Sequence, residues 1–331
     1  MTGGAGATPS ISVIIPAFER AGTIDRTLGS VRSQRFTDFE VIVVDDGSGD
    51  ATADIALAHA ALDARVRVLR CPHAGVAAAR NAGARVAGGE HLVFLDCDDE
   101  VDEQWLLRLH QEANTLEAGD RPDLVFGAAR AEVSGGETRH WQIAPLGPAF
   151  GSIDGAFISG MFAVRRSLFE EVGGYAVGLE YSENTELGLR LTAASTARHG
   201  RVRARAHREE RLTVRLPPDG TSNALSDAKR FESALYLLDR HGEQFRADAH
   251  LLASYWAIAG VAAARLGRLG DARSCFARAV RNDPRDLRHL GRLALALAPS
   301  LAARRWPARP ARPRAAELVE RVGAASKLTR S

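Results

Sequence analysis

From residue 11 onward, short uninterrupted apolar runs alternate with segments of helical period. ISVIIP (11 to 16), EVIVVDD (40 to 46), RVRVLR (65 to 70) and HLVFLD (91 to 96) predict four strands. Helices are expected from Gly22 to Ser33, after the turn in GSGDATADIALAHAAL with Asp50 or Thr52 as cap, and over VAAARNAGARVA (76 to 87). Runs that are apolar at every position fit strands covered on both faces, so the pattern predicts right-handed βαβ units on a mainly parallel sheet. Past residue 100 the rhythm loosens. A helix is expected near Val101 to Leu116 and a strand near DLVFGAAR (123 to 130), forming a hairpin with EVSGGETRHWQI through Ser134-Gly135-Gly136. GMFAVRRSLFEEVGGY (160 to 175) predicts a strand, a short helix and a Gly-Gly stop. SENTELGLRLTAAS (182 to 195) predicts a helix capped by Ser182.

The character changes near residue 222 to Ala/Leu/Arg-rich helix. The expected organisation is a disordered start (1 to 9), an α/β domain (10 to 220), a helical region (221 to 300) and a basic Pro/Arg-rich tail (301 to 331). Within the helical region, residues 251 to 286 form two helical stretches broken at Leu266-Gly267 and closed by Asn282-Asp283-Pro284. The pair is similar to one tetratricopeptide unit, but without a second copy it predicts a cap on the α/β domain rather than a peptide-binding array.

Composition narrows the class. A chain of 331 residues that is 45% hydrophobic buries a full core. Cys71, Cys97 and Cys275 lie far apart with no CxxC spacing, which points away from a disulfide framework or zinc site and toward a reducing cytoplasm. MTGGAGATPS lacks the basic start and apolar stretch of a secretory leader, and no apolar run reaches the roughly 20 residues of a spanning helix. The net charge of +2 is unevenly spread, because residues 304 to 331 carry eight Lys/Arg against two Glu and the remainder is acidic. That tail reads first as a solvated, partly disordered Pro/Arg segment, the alternative being peripheral contact with the inner face of a membrane. No nucleic-acid module accompanies it.

The chemistry gathers where strands end. Sheets of this kind bind ligands at the carboxyl ends of their strands, and PAFER (16 to 20), DDGSGD (45 to 50) and DCDDE (96 to 100) all fall there. Asp96, Asp98 and Asp99 place repelling carboxylates at the end of an apolar strand, and a divalent cation is the obvious neutraliser. Pro16 lacks an N–H and is expected to end its ladder, turning Ala17, Phe18 and Glu19 outward.

Taken in order, SVIIPAFER, VVDDGSGDAT, AAARNAG, FLDCDD, GMFAVRRSLFEEVGGY and ENTELGLRL resemble the inverting glycosyltransferases of family 2, over roughly residues 10 to 220. The resemblance implies a GT-A type, Rossmann-like nucleotide-diphospho-sugar transferase fold, a nucleotide-sugar donor, Mg²⁺ or Mn²⁺, and a glycan or lipid-linked acceptor in cell-envelope synthesis. It implies that Pro16, Ala17, Phe18 and Glu19 hold the nucleobase, the alternative for Phe18 being ordinary core. Asp46 would accept from the base N–H, against a reading as a turn cap. Arg80 would lie near the nucleotide, against a reading as an exposed helix arginine. Asp98 would bind the metal and Asp96 the ribose or the metal, with Asp99 and Glu100 capping the next helix. Arg215 would close over the diphosphate, and His207 would contact it or the metal. The catalytic base falls in Glu183-Asn184-Thr185-Glu186, where Asn184 stands in place of the family's usual Asp. The role is expected to pass to the adjacent Glu183, the alternative being Glu186, for which an i,i+4 ion pair with Arg190 is the structural reading. Two rivals follow from the same residues: a non-catalytic nucleotide-sugar-binding or scaffold protein, favoured by Asn184, and a nucleotidyltransferase, disfavoured because PAFER is not a glycine-rich basic triphosphate loop.

Overall fold

The computed structural model describes residues 8–133, 136–216 and 227–307. The start of the chain before residue 8, most of the expected hairpin turn, the PPDGTS loop and the tail beyond residue 307 lie outside the described residues. The elements run β1 (Ile11–Ala17), α1 (Ile24–Arg32), β2 (Phe39–Asp45), α2 (Thr52–Leu62), β3 (Val66–Arg70), α3 (Val76–Val86), β4 (His91–Phe94), β5 (Glu100–Val101) and α4 (Trp105–Ala113). They continue with β6 (Leu124–Val133), β7 (Thr138–Trp141), β8 (Ala144–Pro145), β9 (Asp154–Gly155), β10 (Phe162–Arg165), α5 (Arg166–Glu171), α6 (Glu183–His199) and β11 (Ala204–Leu216). Helices follow: α7 (Asp227–Arg240), α8 (Gly242–Arg246), α9 (Ala249–Arg265), α10 (Leu269–Asn282), α11 (Leu287–Leu297) and α12 (Pro299–Arg305).

The chain divides into two units, Met1–Ser222 with Leu237–Leu251, and Asn223–Tyr236 with Leu252–Ser331. In the first, the sheet order is β3-β2-β1-β4-β10-β6-β11-β5, with β7 pairing β6. The four strands from β3 to β4 are parallel, and β1 is buried at all seven positions. The other half is mixed: β10 runs antiparallel to β4 and β6, while β6 and β11 are parallel to each other. Ile14, Ile15, Val43 and Phe94 are fully buried, each such side chain contributing about 1.5–3 kcal/mol. Helix α1 turns Ile24, Thr27, Leu28 and Val31 to this core at helical spacing. Helix α3 lies against β1 and β2 at Gly83, where an added Cβ would sit 2.6 Å from Ile14 Cγ2 and 3.1 Å from Val44 Cγ2.

Three local expectations are corrected. Pro16 does not end β1, which pairs with β2 through Ala17↔Asp45. Because Ile14 O accepts from Leu95 N on one side and Ala17 O from Asp46 N on the other, alternation puts the missing Pro16 N–H on the β4 side. Pairing with β4 stops there, at Ile14↔Phe94, and the chain leaves the sheet with the acidic loop. Asp99 and Glu100 do not cap α4: Glu100 lies in β5, whose neighbour Val101 pairs with Leu212 of β11, and Asp102 accepts from Gln104 N before the helix. Ser182 makes no side-chain cap to α6 and takes a left-handed φ of 61°.

In the second unit, Ala253 and Ala257 of α9 cluster with Ala279 of α10 beside Trp256. Gly260 admits Phe276, whose Cε1 would lie 2.5 Å from a Cβ at that position, and Phe276 stacks on Trp306 at 5.3 Å. Small residues on one helix thus seat an aromatic from the next. No described helix is long and apolar enough to cross a membrane.

Candidate active site

Parallel pairing of β2, β1 and β4 delivers three loops to one rim. The loop after β1 is locked to the loop after β2. Glu19 takes a positive φ of 53°, its N–H donates to Ser48 Oγ at 3.1 Å, and its carboxylate accepts from Gly49 N at 2.7 Å. Arg20 N donates to Thr52 Oγ1 at 2.7 Å. Ala17 is buried in its strand, whereas Phe18 is 39% exposed and stacks on His73 with ring centroids 4.1 Å apart. Asp46 is buried, and its two oxygens accept from Ala74 N at 2.8 Å and Gly75 N at 2.9 Å, with His73 Nδ1 2.9 Å from Oδ2. Asp46 therefore organises the turn into α3. Each carboxylate oxygen has two acceptor directions, so these contacts leave capacity for one more donor.

Arg80 is the hub. It is 2% exposed, and its Nη2 donates to Asp96 Oδ1 at 2.8 Å and to Ser159 Oγ at 2.7 Å while Nη1 donates to Glu183 Oε1 at 3.0 Å. The guanidinium also lies 5.1 Å from the Tyr175 ring centroid. Although burial disfavours its charge, Tyr175, Asp96 and Glu183 outweigh that effect and raise its pKa. The neighbouring Asn81 clamps Tyr175 at both backbone groups, at 2.8 Å each. The Gly173-Gly174 stop lets the chain pass: Gly174 has φ +72°, and a Cβ there would meet Asn81 Oδ1 at 2.5 Å. Tyr175 Oη in turn donates to Asn184 Oδ1 at 2.8 Å.

Asp98 lies beside this hub with one weakly engaged cation, Arg20 Nε at 3.8 Å, too long for a hydrogen bond. Burial and then Asp96 push its carboxyl above the ordinary range, and Arg20 only partly offsets them. Asp99 is pushed well up by burial, Asp96 and Asp98, and burial drives the Cys97 thiol up to about 12. Two half-exposed carboxylates thus share one loop, Asp96 held through Oδ1 by Arg80 and Asp98 without a hydrogen-bonded cation, a donor set that fits Mg²⁺ or Mn²⁺ through hard oxygen ligands.

The remaining sequence candidates separate. Glu186 is buried and bound by Arg190 Nε at 2.8 Å and His241 Nε2 at 3.1 Å. Burial pushes its pKa up, but the hydrogen bonds from His241 and Arg190 win and hold it at about 2. The depressed value contributes stability above the unfolded value, near 4.5, that is lost as pH falls through about 2. Glu186→Ala is expected to lower stability by about 3 kcal/mol in urea unfolding, by depriving Arg190 and His241 of their shared carboxylate, and to leave the specific activity of the folded fraction within about twofold. Arg215 donates to Glu100 and to Glu132 Oε2, the latter at 2.8 Å, while its backbone N–H reaches Asp99 Oδ1 at 3.3 Å. His207 is buried in β11, its ring over Gly127 with Arg108 and Glu112 among its charged neighbours. Within the described residues the structure records no contact between His207 and the acidic loop. Sequence reading missed Arg20, His73, Asn81, Tyr175 and His241. A polar pair such as Arg80-Asn81 inside an otherwise alanine-rich helix was the one available signal.

The model for "Glycosyl transferase family 2" matches residues 12–173. Glycosyltransferase EpsJ of Bacillus subtilis is 36% identical over 105 residues, 32% of this chain and 30% of that protein. Glycosyltransferase GlyG of Streptococcus pneumoniae is 36% identical over 118 residues, 35% of this chain and 38% of that one. Validoxylamine A glucosyltransferase of Streptomyces hygroscopicus is 42% identical over 100 residues, 29% of this chain and 24% of that one. The chain spans well under half the length of these curated relatives. Among solved structures, S. aureus TarS 1-349 in complex with UDP-GlcNAc superposes with a TM-score of 0.63 at 17% identity, covering 88% of each chain. At that identity the likeness speaks for the fold, which is of the GT-A type. Residues 12–173 of this chain belong to glycosyl transferase family 2.

Proposed function

We propose that the chain is a metal-dependent inverting glycosyltransferase that moves a sugar from a nucleoside-diphosphate-sugar donor to an acceptor hydroxyl. The observation that carries this reading is the buried Arg80, which joins Asp96 of the acidic loop to Glu183 at the head of α6 while Asp98 beside them lacks a hydrogen-bonded cation. The UDP-GlcNAc held by TarS supports a sugar-nucleotide donor by analogy of fold. Asp98 and Asp96 would hold Mg²⁺ or Mn²⁺, which supplies electrophilic neutralisation of a leaving diphosphate. Phe18 and His73 offer a flat stacking surface to the base, Asp46 accepts a base N–H, and Pro16, Ala17 and Glu19 set the shape of that loop. Arg215 attracts phosphate once Glu100 or Glu132 releases it. Glu183 Oε1 is held by Arg80, and Oε2 has no hydrogen-bond donor among the described residues. That oxygen takes the acceptor hydroxyl proton as the new bond forms to the anomeric carbon, opposite the bond to diphosphate that breaks. Assembly of cell-envelope polysaccharide or glycolipid is the setting we assign.

The test combines binding and turnover. UDP-, GDP- and dTDP-sugars are screened by thermal shift with and without Mn²⁺. One of them is expected to raise the melting temperature in a Mn²⁺-dependent way by mass action. Glu183→Gln should keep that shift and lose about 10²-fold in transfer. No shift with any sugar nucleotide refutes the reading, and wild-type transfer by Glu183→Gln removes that residue as base. A second reading, a non-catalytic sugar-nucleotide-binding protein, is favoured by Asn184, whose amide is held as an acceptor by Tyr175. Turnover that Glu183→Gln abolishes eliminates it.

A further inference from the structure

Helix α11 is apolar on two opposite sides. His289 and Ala296 are buried, as the inward face of an amphipathic helix requires. On the other side Leu287, Leu290, Ala294 and Leu297 follow one another at intervals of three and four, one stripe along the helix. The leucines of that stripe are 74%, 53% and 63% exposed, and Leu301 of α12 adds another at 48%. Scattered exposed leucines need no explanation, but a row of them at helical spacing marks a surface that something covers.

The charges identify what covers it. From residue 287 to 307 the chain contains no Asp or Glu and four arginines, Arg288, Arg292, Arg304 and Arg305. Arg288 pairs with Asp286 at 2.6 Å. Arg292 turns inward to His289 at 3.3 Å, whereas Arg304 and Arg305 are exposed and have no carboxylate partner among the described residues. A second copy docked through this face about a two-fold axis would bring the same arginines against each other without a compensating acid. An anionic lipid surface satisfies both features: leucines enter the boundary beneath the headgroups, and arginines extend to the phosphates at its edge. The segment that follows, 308 to 331, adds six Lys/Arg against two Glu in sequence.

We infer that α11 and α12 form a docking face for an anionic bilayer, with Leu287, Leu290, Leu297 and Leu301 as the inserting side chains and the exposed Arg304 and Arg305, one turn on from Leu301, as headgroup ligands. The inference rests on the helical unit alone and holds whatever reaction the α/β unit performs. The test is cosedimentation of the full chain with vesicles of phosphatidylcholine, alone or with about one third phosphatidylglycerol. Binding to the anionic vesicles is expected to exceed binding to the neutral ones by about tenfold or more and to weaken with salt. Leu290→Ser with Leu297→Ser should lower it by about tenfold. Arg304→Gln and Arg305→Gln should lower it by about fivefold each. All four positions face solvent, so an unchanged melting temperature verifies that these variants fold. Equal binding to both vesicles, or none, overturns the inference. So does wild-type binding by the leucine double variant, which would assign the attraction to residues 308 to 331. A leucine-dependent dimer in sedimentation, without vesicle binding, overturns it in favour of self-association.

Discussion

Asp98→Asn is expected to raise the melting temperature of the metal-free protein while lowering sugar transfer by about 10³-fold. The two effects have one cause. Burial and Asp96 press the Asp98 carboxyl toward its neutral form. A carboxyl whose folded pKa lies above its unfolded value, near 4, contributes stability below that value, and the contribution is lost as pH rises through the folded pKa. At neutral pH the ionised loop is therefore a standing cost that the amide removes. The amide is also a poor ligand for a hard dication, so Mn²⁺ should stabilise the wild type in a thermal-shift titration and leave Asp98→Asn unmoved. If Asp98→Asn melts below the wild type, or still gains from Mn²⁺, the acidic loop is not the electrostatic liability described.

The second large effect is at Arg80. Replacing it by Ala leaves a buried polar environment facing Asp96, Ser159 and Glu183 without its common donor. Removing one partner of a buried ionic cluster costs about 3–5 kcal/mol, and the lower figure is expected because Asp96 is well exposed to water. Chemical denaturation reads that loss directly. Arg80→Lys separates folding from function: a lysine restores the charge but, lacking a planar fork, does not hold three acceptors at once. It should recover most of the stability and little of the transfer. Full transfer by Arg80→Lys would show that a positive charge, and not the bridge, is what the site requires.

Much of this architecture was legible because it is local. An apolar run such as ISVIIPA declares a strand covered on both faces, and Asp-rich or Gly-rich ends of successive strands must meet at one rim once the strands are parallel. What escaped the sequence depends on partners far along the chain. Glu186 and His241 lie 55 residues apart, and Arg80 and Glu183 lie 103 apart. Arg80 read equally well as a surface helix residue, and its burial follows from the later return of Tyr175 and α6 over α3. Glu100 read as a helix cap because a two-residue strand has no periodicity of its own; β11 makes it a strand. Ser182 has the right chemistry for a cap, yet its left-handed backbone withholds the geometry. Pro16 was rightly seen as an interruption. Its effect on one side of β1 only is visible from the direction of the neighbouring hydrogen bonds.

The contact of Gly83 with Ile14 and Val44 sets how deep α3 can sink onto the sheet, and Arg80 projects from the same helix one turn earlier. Any side chain at 83 would act as a shim. It would tilt the helix outward and shorten the arginine's reach to two carboxylates it meets at hydrogen-bond length. A residue that never touches a ligand thus governs the calibration of the charged cluster, and a catalytic defect in this protein need not originate at the rim where the defect is felt.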